Sequence, residues 1–313
     1  MDIYLPIAGM PVNVLMMIAV GGVVGFVSGL FGVGGGFLLT PLLIFSGIPH
    51  AVAVATVTPQ VVASSTSGAL SYWRKKAIDF KLSGVLFVTG SAGTVTGAWV
   101  FGILDRAGQI DIVVALAYMC LLGFIGITML IESVRAMRRT AKAARAGAPP
   151  PVRRRGERGW VQKLPFRMRF RKAKLYVSII PIILIGYCVG FIGTLLGIGG
   201  GFLLVPAMIY ILGVPTSIVI GTSLVQILTT MSVGTVSLAI TTGTVDGVLA
   251  FLLMIGGVIG AQFGASMGLR LRGDHLRFLL AILVLAVGVR FAVSLTFTPS
   301  DLFSLSVLQG IRP

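Results

Sequence analysis

Gly32-Val33-Gly34-Gly35-Gly36-Phe37-Leu38-Leu39 recurs as Gly197-Ile198-Gly199-Gly200-Gly201-Phe202-Leu203-Leu204, an offset of 165 residues. Pro41 pairs with Pro206 at the same offset. After a one-residue slip, Pro49 pairs with Pro215, Thr56 with Thr222, Gln60 with Gln226 and Gly68 with Gly234. A second slip sets Asp79 on Asp246, and Gly90, Gly93 and Gly97 on Gly257, Gly260 and Gly264. A repeat this long is a duplicated folding unit, because solenoid repeats have far shorter periods. In an apolar chain, interrupted segments at matching places in two halves point to a secondary transporter and mark its binding site.

The chain is apolar enough for that reading. Hydrophobic residues make up 56% of it and charged residues 11%, with a mean hydropathy of +1.01. Residues 3–73 and 175–245 carry no Lys, Arg, Asp or Glu. Runs of about 20 apolar residues cross a bilayer as helices. Barrel strands would alternate in polarity over short segments, and these runs do not. The expected fold is an all-α integral membrane protein of two homologous five-segment repeats.

The net charge of +16 suggests nucleic acid until it is located. Residues 135–174 hold 15 of the 25 Lys and Arg and one acid, Glu157. With Pro149-Pro150-Pro151 and Gly147, Gly156 and Gly159, this reads as a polybasic linker on the cytoplasmic side of the membrane. It is also a candidate contact for anionic lipid, and no nucleic-acid partner is expected. The divisions are therefore 1–134, first repeat; 135–174, linker; 175–298, second repeat; and 299–313, tail. Cys120 and Cys188 lie in apolar segments, which predicts packing residues and neither a disulfide nor a zinc site. The N-terminus lacks a basic n-region, so the first apolar segment is expected to be retained.

Each half divides into five segments: 9–31, 36–47, 50–73, 80–102 and 109–133, then 175–197, 201–212, 215–241, 247–270 and 275–297. The second of each five is short, about 17 Å as a helix, or half the hydrocarbon core. Either it re-enters, giving parallel repeats, or extended backbone through the glycines completes a crossing, giving inverted ones. Loop charge favours inversion. Arg74, Lys75, Lys76 and Lys81 follow the third segment of the first half, whereas in the second half the bases have moved one loop onward, to Arg270 and Arg272. Both termini are then expected outside.

The candidate site follows from the duplicated blocks. Gly34, Gly35 and Gly36 before Phe37, and Gly199, Gly200 and Gly201 before Phe202, each open an apolar helix whose first N–H groups can receive an anion. Unwound backbone in a membrane is tolerated only where protein or water satisfies it. The series Gly21/Gly25/Gly29 and Gly256/Gly260/Gly264/Gly268 read instead as close helix packing. No strand and acidic residue follow the glycines as in a dinucleotide fold, and no Gly-Lys-Ser/Thr as in a P-loop. The third segments add aligned hydroxyls and amides: Thr56, Thr58 and Gln60 against Thr222, Ser223 and Gln226. Pro59 is placed to kink the first copy alone. Arg290 reads as a snorkelling residue of the last segment, Asp79 and Asp246 as helix caps, and His50 as a loop residue. No nucleophile–base set and no metal cluster stands out, so neither an enzyme nor a cofactor is expected.

These glycine-rich blocks, with Gly47, Pro49, Ala55-Thr56, Gly213, Pro215 and Gly221-Thr222-Ser223, resemble the TauE/SafE sulfite exporter family. The resemblance covers all but the linker and tail. It implies a cell-membrane transporter, in the inner membrane of a bacterium, for sulfur-containing anions such as sulfite, sulfonates or sulfoacetate-like compounds. The first half departs from the Gly-Thr-Ser pattern with Ala55-Thr56-Val57-Thr58-Pro59. An anion channel is the alternative, and a homo-oligomer is compatible with either.

Overall fold

The computed structural model of the chain describes residues 2–31, 33–74, 78–145, 165, 167–170, 175–212, 214, 216–268 and 273–296. Gly32, Lys75, Lys76, Gly213, Pro215, Arg270, Arg272, most of the linker and the tail lie outside the described residues. A short hairpin, β1 (Asp2–Leu5) with β2 (Met10–Asn13), leads into α1 (Val14–Phe31), α2 (Gly36–Phe45), α3 (His50–Arg74), α4 (Phe80–Arg106) and α5 (Ile110–Arg145). A second hairpin, β3 (Arg167–Phe170) with β4 (Leu175–Ser178), leads into α6 (Ile179–Leu195) and α7 (Gly201–Ala207). A π turn, Met208–Leu212, continues α7. Then come α8 (Thr216–Thr241), α9 (Gly247–Gly268) and α10 (Gly273–Thr296). The chain is thus a helical membrane protein; among the described residues five helices are long and apolar enough to cross a bilayer, α1, α4, α5, α8 and α9.

Glycine lets helix backbones touch where lipid supplies no hydrophobic drive for association. A Cβ on Gly21 would lie 2.6 Å from Leu253 O, one on Gly25 would strike Gly257, and one on Gly29 would strike Ala261. α1 and α9 therefore run side by side in the same direction. The equivalent pair, α4 and α6, does the same, with Gly93 on Tyr187 and Gly97 2.7 Å from Phe191 O. Outward faces stay apolar: Phe251, Ile255, Ile259 and Phe263 of α9 are all exposed, as a lipid-facing surface must be.

At the centre α3 packs against α8. Thr58 meets Thr235 at 3.0 Å, and a Cβ on Gly68 would lie 3.1 Å from Leu224, so the two helices are antiparallel. α3 runs with α9, because Asp246 sits on Thr56 and Gly257 on Gln60. α4 runs with α8, through Asp79 on Thr222 and Gly90 on Gln226. α1 accordingly points along α3 and α9, and α6 along α4 and α8, the opposite way. α3 is as long as a crossing helix but less apolar than those five, because it carries Thr, Ser and Gln side chains. It is buried along Val52–Thr58, while Leu70 and Trp73 near its end are exposed.

Both acidic caps form. Asp79 accepts from the N–H groups of Lys81 and Leu82, and Asp246 from those of Val248 and Leu249 at 3.0 Å. Asp246 also accepts from Ile7 N–H at 3.1 Å, which ties the N-terminal hairpin to the start of α9.

Four features differ from the reading of the sequence. α5 carries on to Arg145, so the first residues of the basic linker are helical, as Arg, Lys and Ala are good helix formers. Two hairpins interrupt an otherwise helical chain. Cys120 and Cys188 are exposed, where packing was expected. Hydropathy cannot separate core from surface when the surrounding solvent is hydrocarbon. Finally, His50 opens α3 and pairs with Asp111 at 3.0 Å instead of lying in a loop.

Candidate functional site

The two glycine turns are near-identical in backbone shape. Gly35 caps α2 at φ 72, ψ −24, and Gly200 caps α7 at φ 74, ψ −23. This left-handed region costs an ordinary residue about 1–2 kcal/mol, which is why a glycine stands at each. Gly34 and Gly199 also take positive φ, and so sharpen the reversal. Each turn then folds back on its preceding helix: a Cβ on Gly35 would lie 3.0 Å from Ser28 Cβ, and one on Gly200 2.7 Å from Val189. α2 returns towards the end at which α1 began, with Gly47 beside Met10.

The turns meet each other. Gly36 abuts Gly197 and Ile198, Gly201 abuts Val33, and the rings of Phe37 and Phe202 stack with centroids 4.9 Å apart, 12° from parallel. Val61 of α3 and Ile227 of α8 close the sides: Gly34 touches both, Gly199 touches Val61 and Gly201 touches Ile227. Gly35 O accepts the N–H groups of Leu38 and Leu39, and Gly200 O those of Leu203 and Leu204. Among the described residues no backbone carbonyl takes the N–H of Phe37 or Phe202.

The polar side chains divide by what they already bond. Thr56 Oγ1 accepts from Asp246 N–H at 3.0 Å, and Thr222 Oγ1 from Asp79 N–H at 3.2 Å. Each threonine thereby joins its central helix to a capped helix start in the other half. Thr58 donates to Ala55 O at 2.7 Å and Ser223 to Ile220 O at 2.9 Å. The two glutamines are different. Gln60 is fully buried, and neither atom of its amide has a hydrogen-bond partner among the described residues. Gln226, equally buried, gives one N–H to Thr230 Oγ1 at 3.4 Å and leaves Oε1 without a partner. Each lies against a glycine of the neighbouring helix, Gln60 on Gly257 and Gln226 on Gly90, where any side chain would intrude.

Leaving a buried polar group unmade costs about 1–3 kcal/mol. Gln60 and Gln226 share buried, unpartnered polar atoms with Ser65, Ser91 and Thr194, whose hydroxyls also lack a partner among the described residues, while Thr56 and Thr222 bond across the two halves.

Two residues escaped the sequence reading. Tyr118 of α5, fully buried, donates to Leu196 O at 2.7 Å, and Thr40 of α2 donates to Gly197 O at 3.3 Å. Both tie the second turn to the first half. A lone tyrosine in an otherwise apolar helix was the available signal, since a buried phenol needs a partner. Arg290 stands apart from the turns. It is exposed and lies over the Phe45 ring, 5.3 Å from its centroid, near the far end of α2.

Residues 17–291 match the family model described as sulfite exporter TauE/SafE. YjnA of Bacillus subtilis, a probable membrane transporter protein, is 31% identical over 284 residues, covering 90% of this chain and 99% of its own length. YunE of the same organism, likewise a probable membrane transporter protein, is 26% identical over 283 residues, covering 88% of this chain and 95% of its own. Sulfite exporter TauE/SafE family protein 5 of Arabidopsis thaliana is 46% identical over 48 residues, 15% of this chain and 11% of its own. No solved structure matches. A family match over nearly the whole helical body, on a fold of two alike halves meeting at glycine turns, places this chain in the sulfite exporter TauE/SafE family, as a multi-pass membrane transporter and not an enzyme.

Proposed function

We propose that the chain is a secondary transporter, an exporter or permease, of small sulfur-containing anions such as sulfite, sulfonates or sulfoacetate-like compounds. The observation that carries this reading is the meeting of two glycine turns beside two fully buried glutamines with unsatisfied amide atoms. The charged side chains buried among the described residues are Asp79 and Asp246, and both act as caps. A bound anion is therefore held by neutral donors: the Gln60 and Gln226 amides, neighbouring hydroxyls and the helix-start N–H groups beside Gly34–Gly36 and Gly199–Gly201. Several N–H and O–H donors suit the spread oxygens of a sulfonate or sulfite. A helix start adds about +0.5 charge without the cost of burying a base.

Alternation of access fits the opposed helix directions of the two halves. α1 runs with α3 and α9 while α6 runs with α4 and α8, the arrangement that an inverted repeat requires. With the basic linker in the cytoplasm, both termini lie outside, and the linker meets the anionic inner leaflet. Uptake of labelled sulfite into proteoliposomes, competed with thiosulfate, sulfonates and carboxylates, tests the substrate class. Saturable uptake competed by sulfonates supports it. Competition by carboxylates alone moves the class, and non-saturating flux at channel rates replaces the carrier with a pore.

A further inference from the structure

The two hairpins stand at equivalent places, each immediately before the first helix of a repeat. α1, α3 and α9 begin at one end of the bundle and α6, α4 and α8 at the other, so the hairpins lie at opposite ends. Each shares a buried cluster with the start of a helix that a buried glutamine touches. Leu5 and Val12, both buried, join the cluster that holds Leu249 and Leu252 of α9. Val177 of β4 joins the one that holds Leu82 and Leu86 of α4. The depths match as well. Gly257, against Gln60, lies 11 residues beyond Asp246 on α9, and Gly90, against Gln226, lies 11 residues beyond Asp79 on α4. Such a stretch of helix spans about 16 Å, half of a hydrocarbon core of about 30 Å.

The first hairpin is also bonded to the seam on which it sits. Asp246 is fully buried and uses its two oxygens for different ends. Oδ1 caps α9, accepting from Val248 and Leu249 N–H at 3.0 Å, which is all that a helix start asks of a cap. Oδ2 turns to the hairpin and accepts from Ile7 N–H at 3.1 Å and Ala8 N–H at 3.4 Å. The Asp246 N–H goes to Thr56, one turn before Gln60 on α3. The seam between α3 and α9, along which Gln60 meets Gly257, therefore ends at Asp246, with the hairpin turn seated on that end. A two-stranded hairpin is marginal by itself, so its seat depends on these bonds and on Leu5 and Val12, while Ile3, Tyr4 and Ile7 are exposed. Elements of low local stability are the ones that open.

We propose that the β1–β2 hairpin is a gate over the anion site at Gln60, latched shut by Asp246 Oδ2 and lifted when that latch parts. This rests on the carrier reading above. A carrier whose site lies near the midplane needs a closure at each face, and closing segments swing about fixed helices. α1 and α9 are in backbone contact and stay together, so the hairpin before α1 is the part that swings. Asp246 is a positioning residue: it touches the hairpin and the helix start, not the anion.

Ser64→Cys, at a buried position one turn beyond Gln60, reports the route past the gate in a chain whose Cys120 and Cys188 are changed to serine. The purified full-length protein in lipid nanodiscs is reacted with a methanethiosulfonate that carries a sulfonate group, with and without excess methanesulfonate. Asp246→Asn keeps an oxygen for Val248 and Leu249 but turns an NH2 to Ile7 and Ala8, and speeds the reaction about tenfold or more. Hydrogen exchange across residues 2–13 quickens with it, while Val248 and Leu249 stay protected. Leu5→Ala unseats the hairpin from its own side, gives the same acceleration, and decides the matter if Asp246→Asn does not fold or uncaps α9. Gly84→Ala, which opens onto free space, changes neither readout. Unaltered labelling in the unlatched variants, or no labelling in any variant, overturns the gate. Protection by methanesulfonate without acceleration refutes the gate and spares the anion site. Acceleration without protection refutes the substrate class and spares the gate.

Discussion

Replacing Gly257 with alanine separates a site from a packing contact. The nearest atoms to a Cβ at this position are the Nε2, Cδ and Cγ of Gln60, with no backbone among them. Gly257 lies within α9 and is not among the positive-φ glycines, so alanine fits its backbone and gains up to about 1 kcal/mol of helix propensity. The methyl forces Gln60 into another rotamer, at roughly 0.5–1.5 kcal/mol. The two terms nearly cancel, so Tm should stay close to wild type. Binding should not. An amide that hydrogen-bonds a charged ligand contributes about 1.5–3 kcal/mol, so its displacement weakens anion binding roughly 10- to 100-fold. Isothermal titration of sulfite into detergent-solubilised protein reads the affinity, and Gln60→Ala gives the ceiling. Wild-type affinity in Gly257→Ala, or a Tm collapse comparable to that of a helix-packing variant, would refute the reasoning.

Three further outcomes follow from the same geometry. Gly25→Val drives a branched side chain into the backbone of Gly257, costing about 1–3 kcal/mol or more, so the protein should lose Tm and expression, and unchanged melting would show that α1 and α9 are not in backbone contact. Tyr118→Phe strips the hydroxyl from Leu196 O and should cost about 1–3 kcal/mol in thermal unfolding, with the effect absent if that carbonyl finds another donor. Cysteines placed at Tyr4 and Ile7 should react with impermeant maleimide from outside intact cells while one placed at Lys81 should not, and the reverse pattern would invert the proposed orientation.

How far the sequence went depended on which signals the membrane leaves intact. The two turns were legible because glycine at Gly35 and Gly200 answers a backbone demand that is independent of solvent, and their partners Phe37 and Phe202 came with them. Caps at Asp79 and Asp246 were legible for the same reason: a helix start needs an acceptor in any medium. Burial was not legible. Cys120, Cys188 and the exposed Phe251 and Phe263 are as apolar as the core, because lipid asks for the same residues that packing does. Nor did composition separate Thr56 and Thr222, which bond across the halves, from Gln60 and Gln226, whose amide oxygens have no partner among the described residues. That distinction lies in hydrogen bonds spanning the two halves, between residues 143 or 190 positions apart. Tyr118 was missed on similar grounds, since its acceptor, Leu196 O, stands 78 positions away.

The central claim is that an anion is bound by the neutral donors where the glycine turns meet. Titration of sulfite and a short sulfonate into wild type, Gln60→Ala and Arg290→Ala tests it most directly. The account predicts saturable binding by the wild type, weakened roughly 10-fold or more in Gln60→Ala and nearly unchanged in Arg290→Ala. Binding that survives in Gln60→Ala and vanishes in Arg290→Ala would contradict it, and would move the site to the outer end of α10.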